Sequence, residues 1–140
     1  MTTLVFALLT MLFWGTAPIF GKIGLKSIDP LTALTIRSFS ISLVLLIITI
    51  LTGKLTGVFQ IGIRPMGFLV AEGLLGSLIG HFTYFYALKY GEASKMVPIT
   101  AAFPMVTVLA AIVFLNEKFT LNKLIGTLFI MAGILIIKSK

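Results

Sequence analysis

The chain is 140 residues long, 59% of them hydrophobic and 11% charged, with a mean hydropathy of +1.15. A soluble domain carries about 25% charged residues and at most about half apolar ones, so a soluble enzyme is excluded, and so is a disordered chain. Lysine and arginine number 11 against 4 acids, for a net charge of +7, but these charges are scattered over several loops with no run on one amphipathic face. They mark topology and contact with anionic membrane lipid rather than a nucleic-acid surface.

A bilayer core takes roughly 20 apolar residues per helical pass, and four hydrophilic breaks separate five apolar stretches. The first runs over about residues 3 to 22 and ends at Lys22. The second runs from about Leu31 to Thr52, after a start signal in which Asp29 caps the helix and Pro30 takes its first position. The third runs from about Met66 to Leu88, after Arg64 and Pro65, and the fourth from about Met96 to Leu115. The fifth, the shortest, begins near Leu121 with Thr120 as its cap and ends at Ile137. Continuous runs of this length are helices, since barrel strands alternate and stop near ten residues. No charged region precedes the first stretch, so a cleaved signal peptide is not expected.

An odd number of passes puts the two termini on opposite sides. Lys54, Arg64, Lys118 and Lys123 fall on the amino-terminal side, and Lys22, Lys26, Lys89, Lys95, Lys138 and Lys140 on the other. This small excess favours an external amino terminus and an internal carboxyl terminus, and leaves insertion in both orientations open.

Read at 100° per residue, the third helix places Gly73, Gly76, Ser77, Gly80, Thr83, Tyr84 and Ala87 on one side, with Glu72 and His81 at the margins. Close helix packing explains the glycines. A carboxylate inside hydrocarbon is costly unless paired or wetted, which makes Glu72 a functional candidate. His81 can relay a proton or bond a solute; a packing role is the alternative, and nothing near it supplies metal-ligand spacing. In the first helix the lone Trp14 sits near the middle, away from the headgroup belt, as a packing residue or the wall of a cavity. Pro18 in that helix, and Pro98 and Pro104 in the fourth, are candidate helix breaks. Each frees a backbone carbonyl, through a simple kink or through a discontinuous helix of the kind transporters use. Thr107 shares a stripe with Thr100 and Pro104.

Arg37 lies about six residues into the second helix, so it and Glu72 each sit about 9 Å below a surface, but below opposite surfaces. Inverting a second copy brings Glu72 to the depth of Arg37. An antiparallel homodimer with these two charges paired is one expectation; a snorkelling arginine and an acid facing its own polar stripe is the other.

Taken together, Trp14-Gly15 with Pro18 and Lys22, Pro30 with Arg37 seven positions on, the run YALKYGEASKMVPITAAFPMVTVLAAIVFLNEKFT over residues 86–120, and Gly126 and Gly133 in the last helix resemble the drug/metabolite transporter superfamily. Within it the chain is similar to a single EamA-type repeat of the small five-helix bacterial and archaeal kind. The resemblance implies a secondary carrier of small organic metabolites, amino acids or related compounds, commonly moved outward. Larger relatives hold two such repeats in inverted orientation, so this chain resembles one half of an inverted-repeat transporter. The four-helix multidrug relatives couple protons through an acid in the first helix, which this sequence lacks; Glu72 is the mid-membrane substitute. Glu117 matches a family position, but its place at a loop mouth beside Lys118 favours a cap or a loop ion pair.

The expectation is thus an all-α membrane protein, one domain over residues 1–140, with five transmembrane helices and short loops, in the cell (inner) membrane. It works as a dimer and moves a small organic solute at a mid-membrane site between the first, third and fourth helices. Trp14, Glu72, His81, Tyr84 and Thr107 line the pathway. No enzyme activity, cofactor, metal or nucleic-acid partner is expected, because no nucleophile, base and orienting group share a face. The alternatives are a multidrug-type cation/proton exchanger and a non-transporting membrane subunit or assembly partner.

Overall fold

A computed structural model describes residues 2–118 and 120–138; Lys140, counted above among the topology charges, lies outside them. The described residues are helical with short connections and divide into two compact units, Met1–Tyr90 and Gly91–Lys140. Four stretches are long and apolar enough to cross a membrane, Thr2–Gly24, Pro30–Leu51, Ile63–Tyr90 and Ala93–Leu115, and a shorter apolar helix covers Leu121–Ile137.

In the first unit α1 spans Thr2–Gly24 and runs through Pro18 without a break. Pro18 therefore does not interrupt its helix as the sequence suggested. A membrane helix tolerates the missing N–H where neighbours cover it, and Pro18 is buried. The start of α2 (Pro30–Leu51) follows the sequence signal: Asp29 Oδ1 accepts the amides of Leu31 and Thr32 at 3.0 Å each, and Pro30 takes the first turn. Gly53, at φ +67, turns the chain out of α2 into a short helix, α3 (Leu55–Phe59).

The third span has three parts: α4 (Ile63–Glu72), a π-helical segment (Gly73–Gly80) and α5 (His81–Tyr90). Both α1 and α2 pack on α5. The well-buried residues of the unit, Leu25, Leu34, Phe85 and Leu88, gather where α1 ends, α2 begins and α5 ends. At Gly21 a Cβ atom would come within 3.4 Å of Leu88 Cδ2, so the glycine lets α1 approach α5 closely. Two lysines lock the same end. Lys22 Nζ donates to the carbonyls of Leu88 and Lys89 at 2.6 and 3.0 Å, and Lys89 Nζ donates to that of Ile28 at 2.7 Å. Those α5 carbonyls have no partner within the helix, and a cation is the favoured group there.

In the second unit the fourth span is broken. Its parts are α6 (Ala93–Thr100) and α7 (Phe103–Leu115), joined by a turn at Ala101 and Ala102. Pro98 and Pro104 lack the N–H groups that would reach back to the carbonyls of Ser94 and Thr100, which removes two bonds around the turn. α7 ends at Asn116, at φ 52, where the amide of Glu117 bonds Ala111 O at 3.2 Å; asparagine is one of the few residues that takes this left-handed position readily. α8 (Leu121–Lys138) is the shortest of the five expected passes, and Thr120 Oγ1 accepts the Lys123 amide at its start. Lys123 Nζ also holds Glu117 at 2.9 Å, which makes Glu117 a loop ion pair.

Candidate functional site

The π segment separates the one acid of the third span from its one histidine. Glu72 is the last residue of α4 and His81 the first of α5. π-helical turns are rare, often occur at functional sites, and replace i→i+4 bonds by i→i+5 bonds. The polar stripe drawn at 100° per residue is therefore interrupted between residues 73 and 80, and Glu72 and His81 are not related by ordinary helical phase.

His81 is tied into this segment. Its Nδ1 donates to Gly76 O at 3.0 Å, which leaves Nε2 as an acceptor in the neutral ring and a donor in the charged one. The ring meets the edges of Tyr84 and Phe85, both at 6.3 Å. Thr83 Oγ1 donates to the carbonyls of Ile79 and Gly80 at 3.0 and 2.9 Å, at the end of the π segment. A side chain at Gly80 would place Cβ 3.1 Å from Leu75 O, so the local backbone leaves little room for one. The Glu72 side chain is exposed and lies along its own helix, with Oε1 3.4 Å from the position a Cβ on Gly76 would take.

Trp14 lies on α1 and is 66% exposed. Arg37 is half-buried on α2, one turn beyond the buried Leu34. Among the described residues the ion pairs are Lys95 with Glu92 and Lys123 with Glu117, so Arg37 and Glu72 do not pair within one chain. Lys89 on Ile28 O sets the end of α5 near the start of α2. Counting 1.5 Å per residue from that contact, Arg37 and Glu72 are about 12 Å apart along the bundle. In the second unit Thr107 is exposed on α7, its hydroxyl on Phe103 O at 3.2 Å, and Pro98 and Pro104 flank the helix break.

The sequence reading missed two features. One is the π segment itself. The other is a shallow groove of about 350 Å³ against α2, where Thr35, Ser38 and Ser42 line one wall with Phe39, and Leu78 of the π segment lies opposite. The hydroxyl stripe was legible, since these residues recur at i, i+3 and i+7. Among the described residues no group of three side chains suited to a metal ion comes together.

Similarity to known proteins bears on the whole length. The chain is 31% identical to an uncharacterized transporter from Sinorhizobium sp, covering 94% of this chain and 92% of the relative. It is 29% identical to an uncharacterized protein of Methanocaldococcus jannaschii, covering 97% of this chain and 96% of the relative. Over 80 residues, 51% of this chain and 57% of the relative, it is 32% identical to a Serratia proteamaculans protein named as a probable 4-amino-4-deoxy-L-arabinose-phosphoundecaprenol flippase subunit. No solved structure matches it. The pattern of the EamA-like transporter family matches residues 1–139, and with apolar helices of membrane length over the same residues, this chain is a membrane protein belonging to that family.

Proposed function

We propose that this chain is a secondary transporter of a small organic metabolite in the cell membrane, working as a homodimer, with Glu72 as its proton-responsive group. The observation that carries the reading is the π segment with Glu72 at one end and His81 at the other. An ionisable residue within a membrane span is a functional candidate by default. Here one stands at each boundary of the π segment. The break between α6 and α7 supports the same reading, since interrupted spans expose backbone carbonyls to solutes and ions. Thr107 and the carbonyls near Pro98 and Pro104 are the polar groups the second unit offers a solute. Trp14, Tyr84 and His81 are those of the first.

The test is counterflow in proteoliposomes under an imposed pH gradient. Glu72→Gln is expected to abolish the response to the gradient while solute exchange persists; an unchanged response would remove Glu72 from the mechanism. A second reading, a subunit of a flippase for a lipid-linked sugar, is favoured by the Serratia relative's name. In that case the reconstituted chain shows no counterflow alone and gains activity only with a partner chain.

A further inference from the structure

The only arginine inside a membrane span of the first unit, other than Arg64 near the start of α4, is Arg37. Counting seven residues from Pro30 puts it about 10 Å into α2. A guanidinium does not lose its charge, so at that depth it requires a counter-anion or a route to water. The sequence has four acidic side chains, and each is placed elsewhere. The Asp29 carboxylate holds the amides that open α2. Glu92 pairs with Lys95 at 3.2 Å and Glu117 with Lys123 at 2.9 Å. Glu72 stands about 12 Å farther along the bundle by the same residue count. Among the described residues, then, no carboxylate of this chain is placed to serve as the counter-anion of Arg37.

The surroundings narrow what that anion is. Leu34 and Phe85 are buried where α2 packs on α5. One turn deeper on each helix stand Arg37 and His81, while the half-buried Tyr84 lies nearer the level of Phe85. His81 Nδ1 is committed to Gly76 O, so His81 Nε2 and the Tyr84 hydroxyl are the hydrogen-bonding groups that this stretch of α5 offers a solute. An arginine fork matches the two oxygens of a carboxylate or a phosphate. We propose that Arg37 receives the carboxylate or phosphate-monoester group of the solute, an assignment that rests on the transporter reading and gives it a substrate class, organic anions. Glu72 of an inverted second copy is the other source of negative charge at this depth. A carboxylate clamped by a guanidinium keeps its charge, however, so it could not also be the proton-responsive group.

The experiment uses the sequence's two arginines. With Arg64→Lys in place, Arg37 is the sole arginine for phenylglyoxal, and the adduct is read by intact mass on the full chain in phosphatidylcholine vesicles. Succinate and glycerol 3-phosphate are expected to slow the modification at least fivefold, and succinamide, glycerol and putrescine to leave it unchanged. In counterflow with a labelled panel of anionic, zwitterionic and cationic metabolites, anions are transported, Arg37→Gln raises their KM at least tenfold, and Arg37→Lys retains part of the affinity. The proposal is overturned if neither anion protects, or if protection needs only phosphatidylglycerol in place of phosphatidylcholine, which makes the ligand a lipid headgroup. It is also overturned if Glu72→Gln alone unmasks Arg37, which makes the counter-anion the acid of a second copy. Protection by anions without counterflow of any solute would instead sink the transporter reading and leave the anion site standing.

Discussion

The Asp29 carboxyl is held below the ordinary aspartate value of 3.8 by the Thr32 hydroxyl and by the amides of Thr32 and Leu31. A depressed value means that the folded chain prefers the charged form. The stabilisation is therefore complete above the unfolded value and is lost as pH falls through it toward the folded one. Asp29→Ala is expected to lower the unfolding temperature in detergent at pH 7, with the gap from the unaltered chain closing as pH drops below 3.8; a gap independent of pH would show that the charge is not what caps α2. Asp29, Thr120 and Glu117 were all legible in the sequence because their partners lie within a few positions of them. Lys22 was legible only as a topology charge. Its carbonyl partners at Leu88 and Lys89 are more than sixty residues away, and no local pattern reports a contact that packing creates.

Among the elements, the spans and the fourth-span break could be read from apolar length and from Pro98 and Pro104, but the π segment could not. A hydrophobic period of 3.6 is assumed when stripes are drawn, and a run such as GLLGSLIG supports several registers equally well. Its glycines are not equivalent. A methyl group at Gly73 meets nothing within 4 Å, whereas one at Gly80 lies 3.1 Å from the Leu75 carbonyl. Alanine is favoured over glycine in ordinary helices by roughly 0.5–1 kcal/mol. Gly73→Ala is therefore expected to leave the unfolding temperature unchanged or raise it, and Gly80→Ala to lower it and reduce counterflow. Equal effects of the two substitutions would mean that the 73–80 backbone is not held in the π form. The groove on α2 was open to the same reading that found the stripe of the third helix, since Thr35, Ser38 and Ser42 share a face.

For the whole molecule, membrane residence, the all-helical fold and family were legible because apolar length and the order of weak motifs survive without any tertiary information. The pairing of Arg37 with Glu72 was read as a match of depths, and the third span's length of 28 residues is what separates them within one chain. The nearly balanced loop charges and the odd number of passes expected from the sequence make orientation the property to measure. Reporters fused to the carboxyl terminus are expected to be active on both sides of the membrane if the homodimer is inverted, and activity on a single side would end the inverted-homodimer reading. The π segment bears on how such a chain tolerates changes in length. Each i→i+5 bond encloses one residue more than an α-helical bond, so residues 73–80 hold the surplus that a one-codon insertion leaves behind. Removing one codon there would let the span settle into uniform phase. The same deletion in α4 or α5 would turn every following residue by about 100°.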